Sequence, residues 1–371
     1  MKLTCLQENL NECLNIVARI AGQAKSSLPI LSNVLLTAED SNLKISATNL
    51  EMAIEIEIRA KIEKKGRFTV SAALLNNYIN SLKPENINLE VQNNELLIQT
   101  EKQKAKIKGL PADEFPIIPE IEKKEKIVLQ VSELKKGLKQ TIFSVVANET
   151  RRELSGLYCF PTKNKILTLV GTDSYRLAEK KISIQTIDYS GRSFIIPRRA
   201  LDELLKMLEE KGQEEITLYP SENQLLFVYK NINFITQLIN SEFPNYQDII
   251  PKNYKTRVIF DKDSLVRLIK TASFFTKTGI NDLSLKVVPQ AGKIQIQSLN
   301  SQVGENEAEM QAEIEGEANE VVFNYQYLLD GLMNLPGHEL CLDLIDNNLP
   351  GILRNNEDHS FLYLIMPIKA N

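Results

Sequence analysis

The chain has little of what catalytic and metal chemistry usually needs. Histidine occurs only twice, as His338 and His359, and neither stands at a spacing that would place it with Cys, Asp or Glu as a metal ligand. His338 follows Pro336-Gly337 and reads as a turn residue, while His359 lies among Asn355, Asn356, Glu357 and Asp358 and reads as solvated. The four cysteines, Cys5, Cys13, Cys159 and Cys341, are scattered without a CxxC spacing. That pattern fits reduced, small core residues. No G-x-x-x-x-G-K-[ST] loop, G-x-G-x-x-G turn or G-x-S-x-G elbow occurs, which removes the phosphate-cradling, dinucleotide-binding and hydrolase readings in their ordinary forms. No apolar run reaches membrane-spanning length, and Met1-Lys2-Leu3-Thr4-Cys5 lacks the layout of a secretory signal. The expectation is a cytoplasmic protein without a cofactor or metal. Because carboxylates are numerous, an acidic metal site in a DNA-processing enzyme stays open as the enzymatic alternative.

What is present is ordinary for a globular protein: 43% hydrophobic and 25% charged residues. A length of 371 residues suggests two or three domains. The net charge of -4 argues against a uniformly basic nucleic-acid-binding domain. An average, however, hides local asymmetry, so the placement of the 44 Lys and Arg residues decides the matter.

The chain repeats itself, and the repeat governs the rest of the reading. Phe68-Thr69-Val70-Ser71, Phe194-Ile195-Ile196-Pro197 and Val321-Val322-Phe323-Asn324 are short β-like runs that end in a helix-start residue. Each precedes a leucine-rich helical pattern: Leu74, Leu75, Tyr78, Leu82; Leu201, Leu204, Leu205, Leu208; and Leu328, Leu329, Leu332, Leu335. Hairpin turns follow at Asn93-Asn94, Ser221-Glu222-Asn223 and Asp346-Asn347-Asn348. A second unit precedes each of these. It opens with a strand (Lys2 to Leu6, Ile127 to Val131, Arg257 to Asp261) and continues into a helix. The helical apolar positions are Leu6, Leu10, Leu14, Val17; Val131, Leu134, Leu138, Ile142, Val145; and Leu265, Leu268, Ile269, Ala272, Phe275. The fold class is therefore α+β: three similar domains, each a duplicated βα-plus-strands unit. Boundaries at 1–125, 126–251 and 252–371 follow the parallel segments Phe115-Pro116 and Phe243-Pro244. Threefold repetition without a singular catalytic cluster favours a scaffold over an enzyme.

Particular segments then carry a resemblance. Leu169-Val170-Gly171-Thr172-Asp173-Ser174-Tyr175-Arg176-Leu177-Ala178 resembles the middle-domain signature of the β subunit of bacterial DNA polymerase III, the bacterial sliding clamps. Leu28 to Val34, Thr48-Asn49-Leu50-Glu51, Ser241 to Tyr246 and Met366-Pro367-Ile368 resemble other segments of that family, and the match runs the length of the chain. Tyr175 stands where members often have histidine, Asp248 where some are basic, and Lys369-Ala370-Asn371 where others end in a basic residue and leucine. The resemblance implies a non-catalytic processivity subunit that closes as a head-to-tail homodimeric ring, helices inside and sheets outside. It implies double-stranded DNA bound without sequence preference as one partner. Polymerase, clamp loader and other peptide-motif proteins would share a groove as the others.

Three surfaces follow as candidates. Basic residues on or beside helices would face DNA: Lys25, Lys135, Lys139, Arg151, Arg152, Arg198 and Arg199, with Arg19, Lys136, Lys206, Arg267 and Lys270 in support. Many modest charges aimed at one axis attract phosphates without gripping. The resemblance places the peptide groove at Leu154, Thr172, Ser174, Tyr175, Arg176, Leu177, Pro244, Ile249, Leu364, Met366, Pro367 and Ile368. For the ring interface, Lys102, Lys104, Lys106 and Lys108 alternate on one strand, and Glu305, Glu307 and Glu309 on another, so each suits the other. Ala105, Ile107, Phe274 and Phe275 would add apolar contact. The alternative in the binding class is a peptide-recruiting scaffold that does not encircle DNA, and each surface also has an ordinary reading as solvated helix, core or charged edge.

Overall fold

The computed structural model describes residues 1–22, 28–146, 150–189, 192–209 and 212–369. Among these are six α-helices: α1 (Gln7–Gly22), α2 (Ala72–Ser81), α3 (Val131–Thr141), α4 (Arg198–Met207), α5 (Lys262–Ala272) and α6 (Tyr325–Asn334). Strands Lys2–Leu6, Lys126–Gln130 and Thr256–Asp261 open the three repeats, within a residue of their expected positions. Helix starts follow local capping chemistry. Asn324 Oδ1 accepts the Gln326 N–H at 2.9 Å ahead of α6, and Asp261 Oδ1 accepts the Ser264 N–H at 2.8 Å ahead of α5.

Two helical phases differ from the sequence expectation. Leu6 ends a strand and is 49% exposed, so the buried face of α1 begins at Gln7 and runs through Leu10, Cys13, Leu14 and Val17. In α2 the buried face is Ala72, Leu75 and Ile79, and Leu74 points outward. Ser71 sets that phase by capping the helix, which brings small Ala72 inward at the first turn.

The strands form sheets of fourteen, nine and four strands among the described residues, with antiparallel pairing throughout the junctions described below. The large sheets run across the sequence repeats. Met52–Arg59 of the first repeat pairs with Ile232–Gln237 of the second, and Arg176–Ser183 of the second pairs with Phe361–Ile365 of the third. Each pairing removes an exposed edge. Two compact units result. One comprises Met1–Val131, Gln185–Ser190 and Asp202–Leu238; the other comprises Ser132–Ile184, Gly191–Leu201 and Ile239–Asn371. In the first, α1 packs on α2 and on the strands Asn42–Thr48 and Met52–Arg59. In the second, Leu265 and Ile269 of α5 and Leu328 and Leu332 of α6 join Val258, Leu285, Phe323 and Tyr363 in one core.

Candidate functional site

The groove residues gather around one turn. Thr172 Oγ1 accepts the Ser174 N–H at 3.1 Å and donates to the Arg176 carbonyl at 2.7 Å. Asp173 Oδ1 accepts the N–H groups of Tyr175 and Arg176, both at 3.0 Å. This double side-chain bracket holds Ser174 at φ 78°, in the left-handed region. The turn presents Tyr175, 62% exposed, and feeds directly into the strand in which Leu177 lies opposite Leu364. One residue beyond that partner strand, the Met366 N–H donates to the Tyr175 carbonyl at 2.8 Å, so the near-terminal segment closes onto the turn. Ile368 is fixed by its N–H to the Val322 carbonyl at 2.7 Å.

Arg176 is the pivot beneath. Its Nε donates to Asp173 Oδ2 at 2.9 Å and its Nη2 to the Phe143 carbonyl at 3.1 Å, and Nη1 reaches Asp330 of α6. The guanidinium lies 4.5 Å from the Tyr327 ring centre and 5.7 Å from that of Phe143. Burial works against its charge, but neighbouring Tyr363, Asp330 and Asp173 more than restore it, so its pKa stands above the ordinary arginine value. Tyr175 stacks on Tyr327 at 6.4 Å, which extends the aromatic wall outward.

The floor is Val170, Leu177 and Leu364, packed against Tyr158, Phe243, Tyr246, Ile250, Leu362 and Met366. Leu177 and Leu364 are each 1% exposed, so the residues presented to solvent here are Tyr175 and the 48%-exposed Ile249. Pro244 and Ile249 belong to the strap formed by residues 241–250. Tyr158 stacks on Phe243 at 4.6 Å, and the Tyr246 hydroxyl donates to Glu179 Oε2 at 2.7 Å. Burial, then that carboxylate, push the Tyr246 pKa up. Leu154 is buried at the end of a short 3-10 turn and Pro367 is half-buried. Sequence reasoning missed Phe143, Tyr158, Glu179, Phe243, Tyr246, Tyr327 and Asp330. The signals for the strap were its likeness to Phe115-Pro116 and the family resemblance of Ser241 to Tyr246, neither of which assigned these side chains a role.

The basic residues divide. Lys25 lies outside the described residues. Lys135 and Lys139 are on α3, and Arg198 and Arg199 open α4. Arg198 Nη1 donates to the Val145 carbonyl at 2.5 Å. Arg152 begins a 3-10 turn, and Arg151 Nη1 donates to Ser174 Oγ at 2.5 Å, which sets it beside the groove turn. Arg19 Nε meets Glu203 Oε2 at 3.1 Å, and Lys206 meets Oε1 at 2.7 Å. Burial of Glu203 resists its charge, but the two cations hold its pKa below the usual carboxylate range. Arg19 and Lys206 are thereby partly neutralised.

Of the strand edges left open among the described residues, two carry the alternating charges. Lys104–Leu110 pairs with Glu95–Gln99 on one side, but on the other only Gly109 and Leu110 find partners, in Val70 and Thr69. Lys104, Lys106 and Lys108 line the free stretch and Ala105 lies between them, half-buried. Ile107 is only 6% exposed and faces Leu96, so its side chain is taken up by its own core rather than left for an interface. Gly304–Gln311 is an edge of the four-stranded sheet. On it Glu309 meets Lys293 at 2.6 Å and Glu307 accepts from Gln297 at 3.2 Å, while Glu305 is exposed. Phe274 is 75% exposed, and Phe275 is half-buried beside Gly304. No helix among the described residues is long and apolar enough to cross a membrane.

Comparison with known proteins matches this architecture along its whole length. Models of the N-terminal, central and C-terminal domains of the DNA polymerase III beta subunit match residues 1–119, 128–245 and 247–369. A beta sliding clamp of Bacillus subtilis is 29% identical over 380 residues, covering 100% of each chain. One of Synechocystis is 28% identical over 390 residues, covering 100% of this chain and 99% of that one. The solved DNA polymerase sliding clamp of Bacillus subtilis superposes with a TM-score of 0.95 at 28% identity, covering 100% of both chains. A solved DNA polymerase III beta subunit of Pseudomonas aeruginosa gives 0.94 at 25% identity over 100% of both chains. The chain belongs to the DNA polymerase III beta subunit family and has its three-domain α+β clamp fold.

Proposed function

We propose that this chain is a sliding clamp of DNA replication, a non-catalytic cytoplasmic subunit that holds the replicative polymerase on duplex DNA. Three domains, 1–125, 126–251 and 252–371, contribute to a ring of two chains joined head to tail. The observation that carries this reading is the end-to-end likeness to a solved sliding clamp, with a TM-score of 0.95 and no part of either chain left over. Two open edges of opposite charge support the ring. One is a basic strand in the first repeat and the other an acidic strand in the third, and two such edges from different chains would complete each other's hydrogen bonds. Basic residues of α3 and α4 would attract DNA phosphates without reading sequence.

Polymerase, loader and other partners would dock in the groove around Thr172–Leu177, Pro244, Ile249 and Leu364–Ile368. A short peptide with an apolar pair such as Leu-Phe suits it, because Met366, Ile249 and Tyr175 offer adaptable apolar contact beside the bracketed turn. Two measurements test the whole. The purified protein should sediment at twice the chain mass. Once loaded by its clamp loader, it should stay on circular DNA and slide off the same DNA when linearised. A monomer, or equal retention on both forms, overturns the ring.

A further inference from the structure

The junction that carries the groove has a copy elsewhere in the chain. In the groove unit, adjacent strands place Tyr158, Val170, Glu179 and Leu362 in one cross-strand row. In the other unit, Leu35, Ser46, Glu55 and Asn233 form the same row on four strands of the same connectivity. Ala53 opposite Ile235 repeats Leu177 opposite Leu364. The turns repeat as well. Thr48 Oγ1 accepts the Leu50 N–H and donates to the Met52 carbonyl, Asn49 Oδ1 accepts the N–H groups of Glu51 and Met52, and Leu50 has φ 76°. The Gln237 N–H donates to the Glu51 carbonyl as that of Met366 does to Tyr175. The straps align too, Phe115-Pro116 on Phe243-Pro244, which sets Ile118 where the groove unit has Tyr246.

The chemistry above the row differs. In the groove unit the space is filled by the chain's own aromatics, ending in the Tyr246 hydroxyl on Glu179. In the copy there is a cavity of 570 Å³ between the strap Pro116–Lys123 and a floor that includes Leu35, Ser46, Glu55 and Asn233. Ile118 is shorter than tyrosine and has no hydroxyl. Glu55 therefore lacks the phenolic donor of its counterpart and has only long contacts instead, from Ser46 Oγ at 3.4 Å and Lys44 Nζ at 3.7 Å. Its side chain is 24% exposed, half-shielded on the cavity floor.

We propose that this cavity is a binding pocket for a phenolic side chain, the tyrosine of a partner peptide, whose ring lies on Leu35, Ile118 and Ile235 and whose hydroxyl donates to Glu55. A donor reaching a half-shielded carboxylate makes a stronger bond than one between neutral groups. Leu35, Ile118 and Ile235 give the ring apolar contact within a lining that also carries Glu39, Lys44, Arg67, Glu120 and Lys123, and the polar surroundings penalise an aromatic without a hydroxyl.

The test uses p-cresol, the tyrosine side-chain fragment, and the full-length protein with backbone and side-chain NMR resonances of residues 35–55, 116–123 and 233–235 followed during titration. Saturable shifts should centre on Ser46, Glu55, Ile118 and Asn233, with toluene binding at least fivefold more weakly. Glu55→Leu should weaken p-cresol at least tenfold. Ile118→Tyr should abolish the binding by placing the chain's own hydroxyl on Glu55, and it should leave the fold intact because the groove unit already carries that arrangement. An acetylated tyrosine methylamide binding at least as tightly as p-cresol supports a peptide source. If only the free phenol binds, the tyrosine assignment fails. Shifts elsewhere, toluene equal to p-cresol, or Ile118→Tyr still binding overturns the pocket. None of these readouts depends on the ring or on the other groove.

Discussion

Arg176→Met is the sharpest test of how the groove turn is held. The guanidinium is 12% exposed and answers two carboxylates, Asp173 (12% exposed) and Asp330 (48% exposed). Removing one partner of a fully buried pair costs roughly 3–5 kcal/mol. Asp330 is half in water, so its share shrinks to less than about 1 kcal/mol, and Asp173 keeps two backbone donors. Removing the guanidinium from the Tyr327 and Phe143 rings adds about 0.5–1 kcal/mol, and the Phe143 carbonyl is left without its donor. About 3 kcal/mol results, localised at the turn. Because a chain with two compact units need not unfold in one step, amide hydrogen exchange is the right assay. Protection of residues 172–177 should fall roughly a hundredfold, at about 1.4 kcal/mol per decade, and that of α1 should not change. Affinity for a Leu-Phe peptide should fall in parallel, while Arg176→Lys, which keeps charge without the planar fork, recovers only part of it. A loss of protection below tenfold together with unchanged peptide affinity would refute the pivot.

Lys180, 3% exposed on its side chain, pairs with Asp358 at 3.2 Å and also donates to Ser360. Burial opposes the Asp358 charge, but the Ser360 and Lys180 donors win and hold its pKa down to about 2 from 3.8. A depressed carboxylate contributes stability that is fully present above 3.8 and lost as pH falls through about 2. The contribution is about 1–2 kcal/mol once water access is allowed for, so Asp358→Asn should flatten acid unfolding in that window when followed by circular dichroism. Replacing Lys135, Lys139 and Arg199 with alanine should weaken duplex association for all sequences alike and reduce the salt slope by about 0.9 for each phosphate no longer neutralised; an unchanged slope counts against the basic lining. Phe274→Ala with Phe275→Ala should give monomers in sedimentation. Reversing Glu305, Glu307 and Glu309 to lysine should weaken the dimer, and reversing Lys102, Lys104, Lys106 and Lys108 as well should partly restore it. A dimer indifferent to these changes sinks the interface.

The repeats, helix starts and strap positions were legible because they are local. Asn324 caps α6 through bonds that span two or three residues, and a turn such as Thr172–Arg176 closes within five residues. The phase of α2 was not legible because Ala72, a small residue, carries the buried face at the helix start while larger Leu74 does not. Arg176–Asp330 spans 154 residues and Tyr246–Glu179 spans 67. Nothing in the spacing of such pairs announces them: Arg176 meets Asp330 only once the second repeat joins the third, and Tyr246 meets Glu179 only once the strap folds back over its own sheet. Lysine alternation at 104–108 marked a strand, but that its outer edge is open follows from where pairing with Val70 and Thr69 stops.

The same division explains why one scaffold can carry two different chemistries. The backbone of each junction is fixed by features that repeat: a Thr-Asx bracket, one residue held at positive φ, a strand added from the next repeat, and a Phe-Pro strap. None of these constrains the side chains that face the space above the row. Val170 can become Ser46, Leu362 can become Asn233 and Tyr246 can become Ile118 without disturbing a ladder hydrogen bond, since strand side chains alternate independently of pairing. What such exchanges alter is the content of the junction. Large aromatics close one by stacking at 4.6 Å, and their absence leaves 570 Å³ in the other. A carboxylate kept in both rows, Glu179 and Glu55, then acquires different partners, Tyr246 and Lys181 in one case and only the more distant Ser46 and Lys44 in the other. Duplication thus fixes where a groove can be, and a few residues in one cross-strand row decide what it accepts.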